Sequence, residues 1–245
     1  MTDTIYSETA DIESSTDAYA DRFRGATGEW MLATQERITL EYIASSDGST
    51  VLDVGGGHGQ LTRPLCKKGY DVTVLGSDAS CRKRIADLAE NGHCTFVVGD
   101  VIHLPFEDRS FDTVISFRML THCGAWPQLV AELCRVARQA VVVDYPTKQS
   151  LNAIAPMLFA AKKNLEGNTR PWRLFRHAEV LSAFEANGFP GMARRGQFFL
   201  PMVMHRALRC RGLSNGMERI CAALGLTRAW GSPVILKATR REGDS

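Results

Sequence analysis

Apolar residues along the chain fall into short continuous runs separated by segments with helical spacing, and the two patterns alternate. The runs at 51–54 (Val51, Leu52, Val54), 71–75 (Val72, Val74), Thr95–Val98, 111–117 and 140–143 have the length and continuity of strands buried on both faces. Between them, 60–68 places Leu61 and Leu65 one turn apart and ends at Gly69. The segment after Ser80 sets Ile85, Leu88 and Ala89 against Arg82, Lys83 and Arg84 and stops at Asn91-Gly92, and Trp126–Val136 is a further helix. Helical spacing resumes at 177–187, and 192–200 and 233–239 supply a sixth and a seventh strand. Such alternation predicts an α/β fold, a Rossmann-like, seven-stranded doubly wound parallel sheet.

The flanking segments read differently. Residues 17–44 carry Tyr19 and Phe23 one turn apart and, past an interruption at 25–28, Trp30, Ile38, Tyr42 and Ile43, which predicts an N-terminal helical cap. Residues 1–16 are acidic and hydroxyl-rich with few apolar anchors, so the expectation is a flexible arm without chemistry. The division is therefore an arm at 1–16 and one domain at 17–245: the cap, a core at 45–146, an inserted lid at 147–176 and the rest of the sheet at 177–245. The 147–176 stretch is too long for an ordinary connection, and 201–230 is a second excursion, rich in Arg, Leu and Met.

Composition changes this picture in two places. The net charge of +2 hides an asymmetry: after residue 150, 15 Lys and Arg stand against 6 Asp and Glu, and before it 14 against 21. The basic part could meet an anionic substrate, an acidic partner or, weakly, a membrane or lipid surface; the plain alternative is a solvated face. The seven cysteines are odd in number and form no C-x-x-C pair, which argues against a disulfide framework or a zinc site and for a cytoplasmic setting, with no metal expected. No apolar run approaches the roughly 18 residues of a membrane-spanning helix, and the first 16 residues do not read as a signal peptide.

The chemistry concentrates where the first strand ends, at Val51-Leu-Asp-Val-Gly-Gly-Gly-His-Gly59. Glycines lack Cβ, so the turn can take dihedrals closed to other residues and its backbone can approach a ligand closely. A dinucleotide-binding turn reads G-x-G-x-x-G and rests a pyrophosphate on a helix N-terminus. Here the third position of that pattern, counted from Gly55, is Gln60, the glycines fall as G-x-G-x-G, and Asp53 stands beside them. A carboxylate there suits a cationic ligand better than a phosphate.

Asp53 to Gly59 resembles motif I of the class I S-adenosylmethionine-dependent methyltransferases, and the rest of the core is similar to their small-molecule, methyltransferase-11-like branch. The resemblance covers about residues 45–145. It implies S-adenosylmethionine as cofactor, with S-adenosylhomocysteine as product, held by Gly55, Gly57 and Gly59, by Asp53 near the ammonium, and by Asp78 with Ala79 at the ribose. It further implies Asp100 and Val101 at the adenine, Phe117 and Arg118 past strand four near the methyl, and Tyr19 of the cap closing over the methionine end. Asp78 and Asp100 have a plain alternative as helix caps, and Asp53 as an acid satisfying its own turn.

Methyl transfer is an in-line displacement in which alignment and exclusion of water do most of the work, so a base is optional. For a hydroxyl acceptor the candidates are His122, a few residues past strand four, and Tyr145, just past strand five; each could instead be a loop or packing residue. Arg170, Arg173 and Arg176 recur at three-residue spacing and could hold an anionic group, or simply face water. The expected activity is methylation of oxygen, nitrogen or carbon on a small molecule, with no nucleic acid partner. A protein or nucleic-acid methyltransferase and a non-catalytic binding module remain as alternatives. The acceptor and the oligomeric state are not legible in the sequence.

Overall fold

Alternate residues of each central strand face opposite sides of one sheet, and both sides are apolar. Strands β1 (Thr50–Val54), β2 (Asp71–Gly76), β3 (Thr95–Val98), β4 (Phe111–Ser116), β5 (Ala137–Tyr145), β6 (Gly191–Gly196) and β7 (Val234–Thr239) lie in the order β3-β2-β1-β4-β5-β7-β6. In this computed structural model residues 6–151 and 172–241 are described. Most of the inserted lid expected at 147–176, Arg170 included, lies outside them.

Leu52, Val54, Val114, Val141 and Val143 pack on one face with Leu129 and Leu133 of α6 (Trp126–Val136) and Val180 and Phe184 of α7 (His177–Ala186). Val51, Val72, Val74, Ile115 and Val142 pack on the other with Ile38, Tyr42 and Ile43 of α3 (Gly25–Ala44) and Leu65 of α4 (Thr62–Lys67). Burial on both faces is why these strands read as continuous apolar runs.

The sheet departs from the expected all-parallel form. Strands β1 to β5 are parallel to their neighbours, but β7 runs antiparallel between β5 and β6. The excursion after β6, with α8 (Met202–Leu208), α9 (Arg211–Ala223) and α10 (Leu226–Trp230), returns the chain to the end of the sheet it left, so β7 enters reversed. Strand β6 also stops at Gly196, short of the expected residue 200. There the Glu218 carboxylate takes the Phe199 and Leu200 N–H groups (2.9 and 2.8 Å), and Phe198 is buried against Trp30.

The N-terminal arm is a second correction. Of residues 1–16, those from 6 onward are described, and α1 (Ala10–Ser14) is packed against the sheet with Asp11 fully buried. A second short helix, α2 (Asp17–Ala20), is capped by Thr16.

One buried acid ties β1 to β4. The Asp112 carboxylate accepts from the N–H groups of Ser49 (3.0 Å) and Thr50 (3.1 Å) and the Thr50 hydroxyl (2.8 Å), and pairs with Arg138. Burial alone would raise this carboxyl; the hydrogen bonds from Thr50, Arg138 and Ser49 outweigh it and hold the group below its ordinary value. A carboxylate depressed by folding stabilises the fold above its ordinary titration range and loses that contribution as pH falls through its folded value. Asp112→Asn is therefore expected to cost about 1–3 kcal/mol at pH 7, with the deficit narrowing toward pH 3. Urea unfolding at the two pH values checks this, and a deficit independent of pH would contradict it.

Candidate active site

The turn after β1 is built of four glycines around His58, and side chains at the glycine positions would collide with their neighbours. Gly55 and Gly59 lie at φ +78° and +75°, and a short 3-10 turn at Gly56–His58 joins them. A Cβ at Gly56 would overlap the Asp53 carboxyl, one at Gly57 would overlap the Ser15 hydroxyl and the Cys81 carbonyl, and one at Gly55 would sit 2.8 Å from the Met119 sulfur. Asp53 lies beneath the turn, 3% exposed, and accepts from the Thr62 hydroxyl at 2.9 Å. Its carboxyl is thus a partner of the turn itself.

His58, inside the turn, packs edge-on against the rings of Tyr19 and Phe23 at centroid distances of 6.0 and 6.3 Å. Burial, reinforced by the charges of Arg118 and Arg84, pushes its imidazole down to about 3. It is neutral at physiological pH, and neither ring nitrogen has a hydrogen-bond partner. The imidazole is therefore a packing group whose polar edges are unmet.

Helix α1 lies across the turn. The Asp11 carboxylate accepts from the Ser77 N–H (2.6 Å) and hydroxyl (2.5 Å) just past β2, and the Cys81 thiol lies 3.4 Å from it. Ala10 is buried in the apolar cluster that includes Val101, Met119 and Leu120, and Glu8 accepts from the Ala125 N–H at 2.9 Å. Asp78 is exposed and turned back onto the Ser80 N–H (2.7 Å), which lowers its carboxyl. Ala79 beside it is exposed, while Asp100 accepts from the Ile102 N–H (3.0 Å) and the His103 ring (2.9 Å). Asp78 thus has the helix-capping geometry that was its plain alternative, whereas Asp100 holds a turn with no helix after it.

Past β4 the chain enters an uncommon conformation: Arg118 has φ +64°, a left-handed geometry that costs a side-chain-bearing residue of order 1–3 kcal/mol. Its N–H donates to the Asp144 carboxylate at 2.6 Å, and its guanidinium reaches Gln35 (3.2 Å) and Gln60 while lying over the Tyr19 and Phe23 rings. Gln35 closes the circuit by donating to Asp144 at 3.1 Å, and Gln60 donates to the Leu32 carbonyl at 3.1 Å. Burial raises the Asp144 carboxyl, opposed by the Arg118 and Gln35 contacts. The network fastens the helical cap to the carboxyl ends of β4 and β5.

Residues 52–143 match the family model of the methyltransferase domain. These core residues are similar to a methyltransferase domain, and the chain has the class I methyltransferase fold. The chain is 24% identical to the malonyl-[acyl-carrier protein] O-methyltransferase of Salmonella typhimurium over 166 residues, 62% of this chain and 65% of that protein. It is 36% identical to the demethylmenaquinone methyltransferase of Beutenbergia cavernae over 119 residues, 45% of this chain and 47% of the relative. The match thus spans about half to two-thirds of these relatives' length. In fold the chain is similar to the magnesium protoporphyrin IX methyltransferase of Synechocystis, solved with bound S-adenosylhomocysteine, at TM-score 0.63 and 18% identity over 94% of this chain and 97% of that one.

Within this core and its additions, the structure brings Tyr19, Asp53, the glycines, Phe117 and Arg118 to one end of the sheet. His122 is half-buried in the loop after β4, its N–H on the Met119 carbonyl at 3.0 Å. Tyr145 is fully buried beside Phe175, with its hydroxyl 2.9 Å from the His177 ring and burial pushing the phenol up to about 12. Arg173 is paired with Glu179 at 3.0 Å and stacked on Trp126 and Phe175, and Arg176 is exposed. The sequence reading missed Asp11, Ser77, Gln35 and Gln60, whose partners lie tens of residues away along the chain. For Asp11 there was no local signal, since it is one of four acids in a segment without periodicity.

Burial pushes the Asp53 carboxyl up to about 6, against the Thr62 hydrogen bond and the Arg118 charge. A carboxyl raised by folding stabilises the fold fully below its ordinary value of 3.8 and loses that contribution as pH rises through about 6. Asp53→Asn, which never ionises, is expected to gain about 2–3 kcal/mol on the wild type between pH 4 and pH 7. Denaturant unfolding of both proteins across that range measures it; a constant difference would rule the raised value out.

Proposed function

We propose that this chain transfers the methyl group of S-adenosylmethionine to oxygen, nitrogen or carbon of a small molecule, leaving S-adenosylhomocysteine. The observation that carries the reading is the glycine turn between the ends of β1 and β2, in a chain whose residues 52–143 match the methyltransferase domain. The turn fits the cofactor: with no Cβ at 55, 56, 57 and 59 its backbone can come against a nucleoside and amino-acid moiety. Gly55, Gly57 and Gly59 would form the floor, with Asp53 fixing the turn from below, Tyr19 and Phe117 flanking it, and Asp100 with Val101 at the base end. Asp78 and Ala79 stay in the proposed site at the ribose end, where Asp78 would have to release Ser80. When bound, the cofactor supplies an electrophilic methyl on a sulfonium, a good leaving group.

The chain's own contribution is to exclude water and align the acceptor. Arg118, fixed by Asp144, Gln35 and Gln60, is the rigid polar group at the end of β4 that an acceptor would meet. Of the six histidines, His58 is buried and neutral, and His205 is buried on Glu218 at 3.0 Å. His177 is tied to Tyr145, and His103 is bound to Asp100 and to Gln128 at 2.7 Å. His93 is exposed before β3, at the end of the sheet away from the turn. His122, half-buried in the loop that follows β4 at the carboxyl end of the sheet, is the histidine we assign, from that position, to accept a proton where the acceptor is a hydroxyl; Tyr145, with its phenol raised, is a wall of the acceptor side rather than a base.

A small-molecule acceptor is favoured over protein or nucleic acid by the relatives' names, which place a quinone precursor and an acyl-carrier-bound malonyl group among their substrates. Among the described residues no helix is long and apolar enough to cross a membrane, and no cluster of three or more His, Cys, Asp or Glu side chains could hold a metal. Incubation with methyl-labelled cofactor and fractionated cell extract is expected to place label in small molecules or lipids. Label confined to RNA or protein would overturn the acceptor class, and absence of transfer with intact cofactor binding would leave a binding module. With the labelled fraction as acceptor, His122→Ala is expected to lower the rate at least about 100-fold and remove its pH dependence near neutrality; an unchanged profile would remove the base role.

A further inference from the structure

Helix α1 and a nucleoside ligand of the glycine turn claim the same space. The Ser15 hydroxyl is 2.3 Å from where a Cβ on Gly57 would be, the Asp11 Cβ is 3.5 Å from where one on Gly55 would be, and Ala10 is buried in the apolar cluster that also holds Val54, Val101 and Met119. These are the surfaces at the ends of β1, β3 and β4 on which the reading above seats the cofactor. The segment is pinned at three points: Glu8 to the Ala125 N–H, Asp11 to the Ser77 N–H and hydroxyl, and Asp17 to Lys83 (2.8 Å) and Arg84 (2.7 Å). Two of the pins put a carboxylate on backbone N–H groups past strand ends. The Asp11 pin is fully buried, where a charge-assisted hydrogen bond is strong and an unmade one costly.

We propose that residues 8–17 are a built-in plug of the cofactor cleft, held shut by Asp11 on Ser77, which must leave before S-adenosylmethionine or S-adenosylhomocysteine enters. This rests on the cofactor reading above. The plug lowers apparent cofactor affinity by the fraction of molecules that are open, so weakening the latch tightens binding. The opposite arrangement, in which Asp11 is a cofactor ligand on a lid, makes the same change loosen binding.

Two measurements on the full chain separate the cases. Hydrogen exchange of residues 6–17 in the wild type is expected to rise at least tenfold when S-adenosylhomocysteine is added. By calorimetry, Asp11→Ala is expected to bind S-adenosylhomocysteine at least tenfold more tightly than the wild type, with Asp11→Asn, which keeps an acceptor for the Ser77 N–H, in between. Weaker binding by Asp11→Ala, or undiminished protection of 6–17 in the saturated wild type, overturns the plug while leaving the cofactor reading intact. No binding by the wild type or by Asp11→Ala, although exchange shows α1 released in the variant, overturns the cofactor reading and the plug with it.

A second inference comes from the excursion between β6 and β7. The apolar segment at 198–204 turns partly inward, with Phe198 and His205 buried against Trp30. The most exposed apolar residues of the excursion lie along α9 and its C-cap, where Leu213 (50% exposed), Ile220 (64%) and Leu224 (70%) form one stripe at helical spacing with Met217 between them, and Met204, Leu208 and Trp230 are exposed beside it in sequence. Arg209, Arg211, Arg219 and Arg228 are exposed around it, and Glu218, the one acid in 201–230, is buried on the Phe199 and Leu200 N–H groups and His205. We infer that this face docks on an anionic lipid surface, the charge complement of an apolar stripe with a purely basic rim. Phosphatidylglycerol vesicles are expected to sediment the wild type, phosphatidylcholine vesicles are not, and Ile220→Glu with Leu224→Glu should reduce sedimentation at least tenfold. Equal binding to both vesicle types, no binding, or concentration-dependent dimers abolished by the same substitutions would overturn it.

Discussion

The absence of Cβ atoms at the end of β1 is the constraint on which the upper end of this molecule depends. Four of the five residues from Gly55 to Gly59 are glycine, and side chains at 55, 56 and 57 would collide with Met119, Asp53 and Ser15. Because the turn is thin, Asp53 can lie beneath it and hydrogen-bond Thr62 at the start of α4, and α1 can lie directly on top. The left-handed Gly55 and Gly59 turn the chain out of β1 toward α4, the crossover that leads to the parallel neighbour β2. Crowding from both sides leaves the backbone itself as the surface a ligand would touch.

Around the turn, buried polar groups work as joints between elements. The Arg118, Asp144, Gln35 and Gln60 network links the ends of β4 and β5 to α3, so the helical cap has a defined position over the sheet. Burying a guanidinium and a carboxylate is costly unless each is met by well-placed partners. Here the partners come from four segments, and the left-handed backbone of Arg118 is what turns its N–H onto Asp144. Polar joints of this kind give direction where apolar packing gives only adhesion.

The core was legible because its signal is local. Val51, Leu52 and Val54 read as a strand buried on both faces, and the structure divides them between the two apolar layers. Trp126–Val136 read as a helix from its own spacing, and β3 from its four residues. Less legible were places where distant residues override a local pattern. Residues 197–200 continue an apolar run, yet Glu218 captures the Phe199 and Leu200 N–H groups and ends the strand. Asp11 sits in a segment with the composition of a tail, and what buries it is Ser77, 66 residues away.

The sequence by itself determined the alternation of strands and helices, the glycine turn with its neighbouring acid, and hence the class of fold and of ligand, because periodicity, turn chemistry and missing side chains act over a few residues. Tertiary structure alone decided that β7 runs antiparallel, that Asp78 turns back on its own helix start, and that α1 lies over the glycine turn with Asp11 on Ser77. Each of these rests on a hydrogen bond or a strand direction whose partner is chosen by how the chain returns through space, and no short stretch of residues encodes that choice.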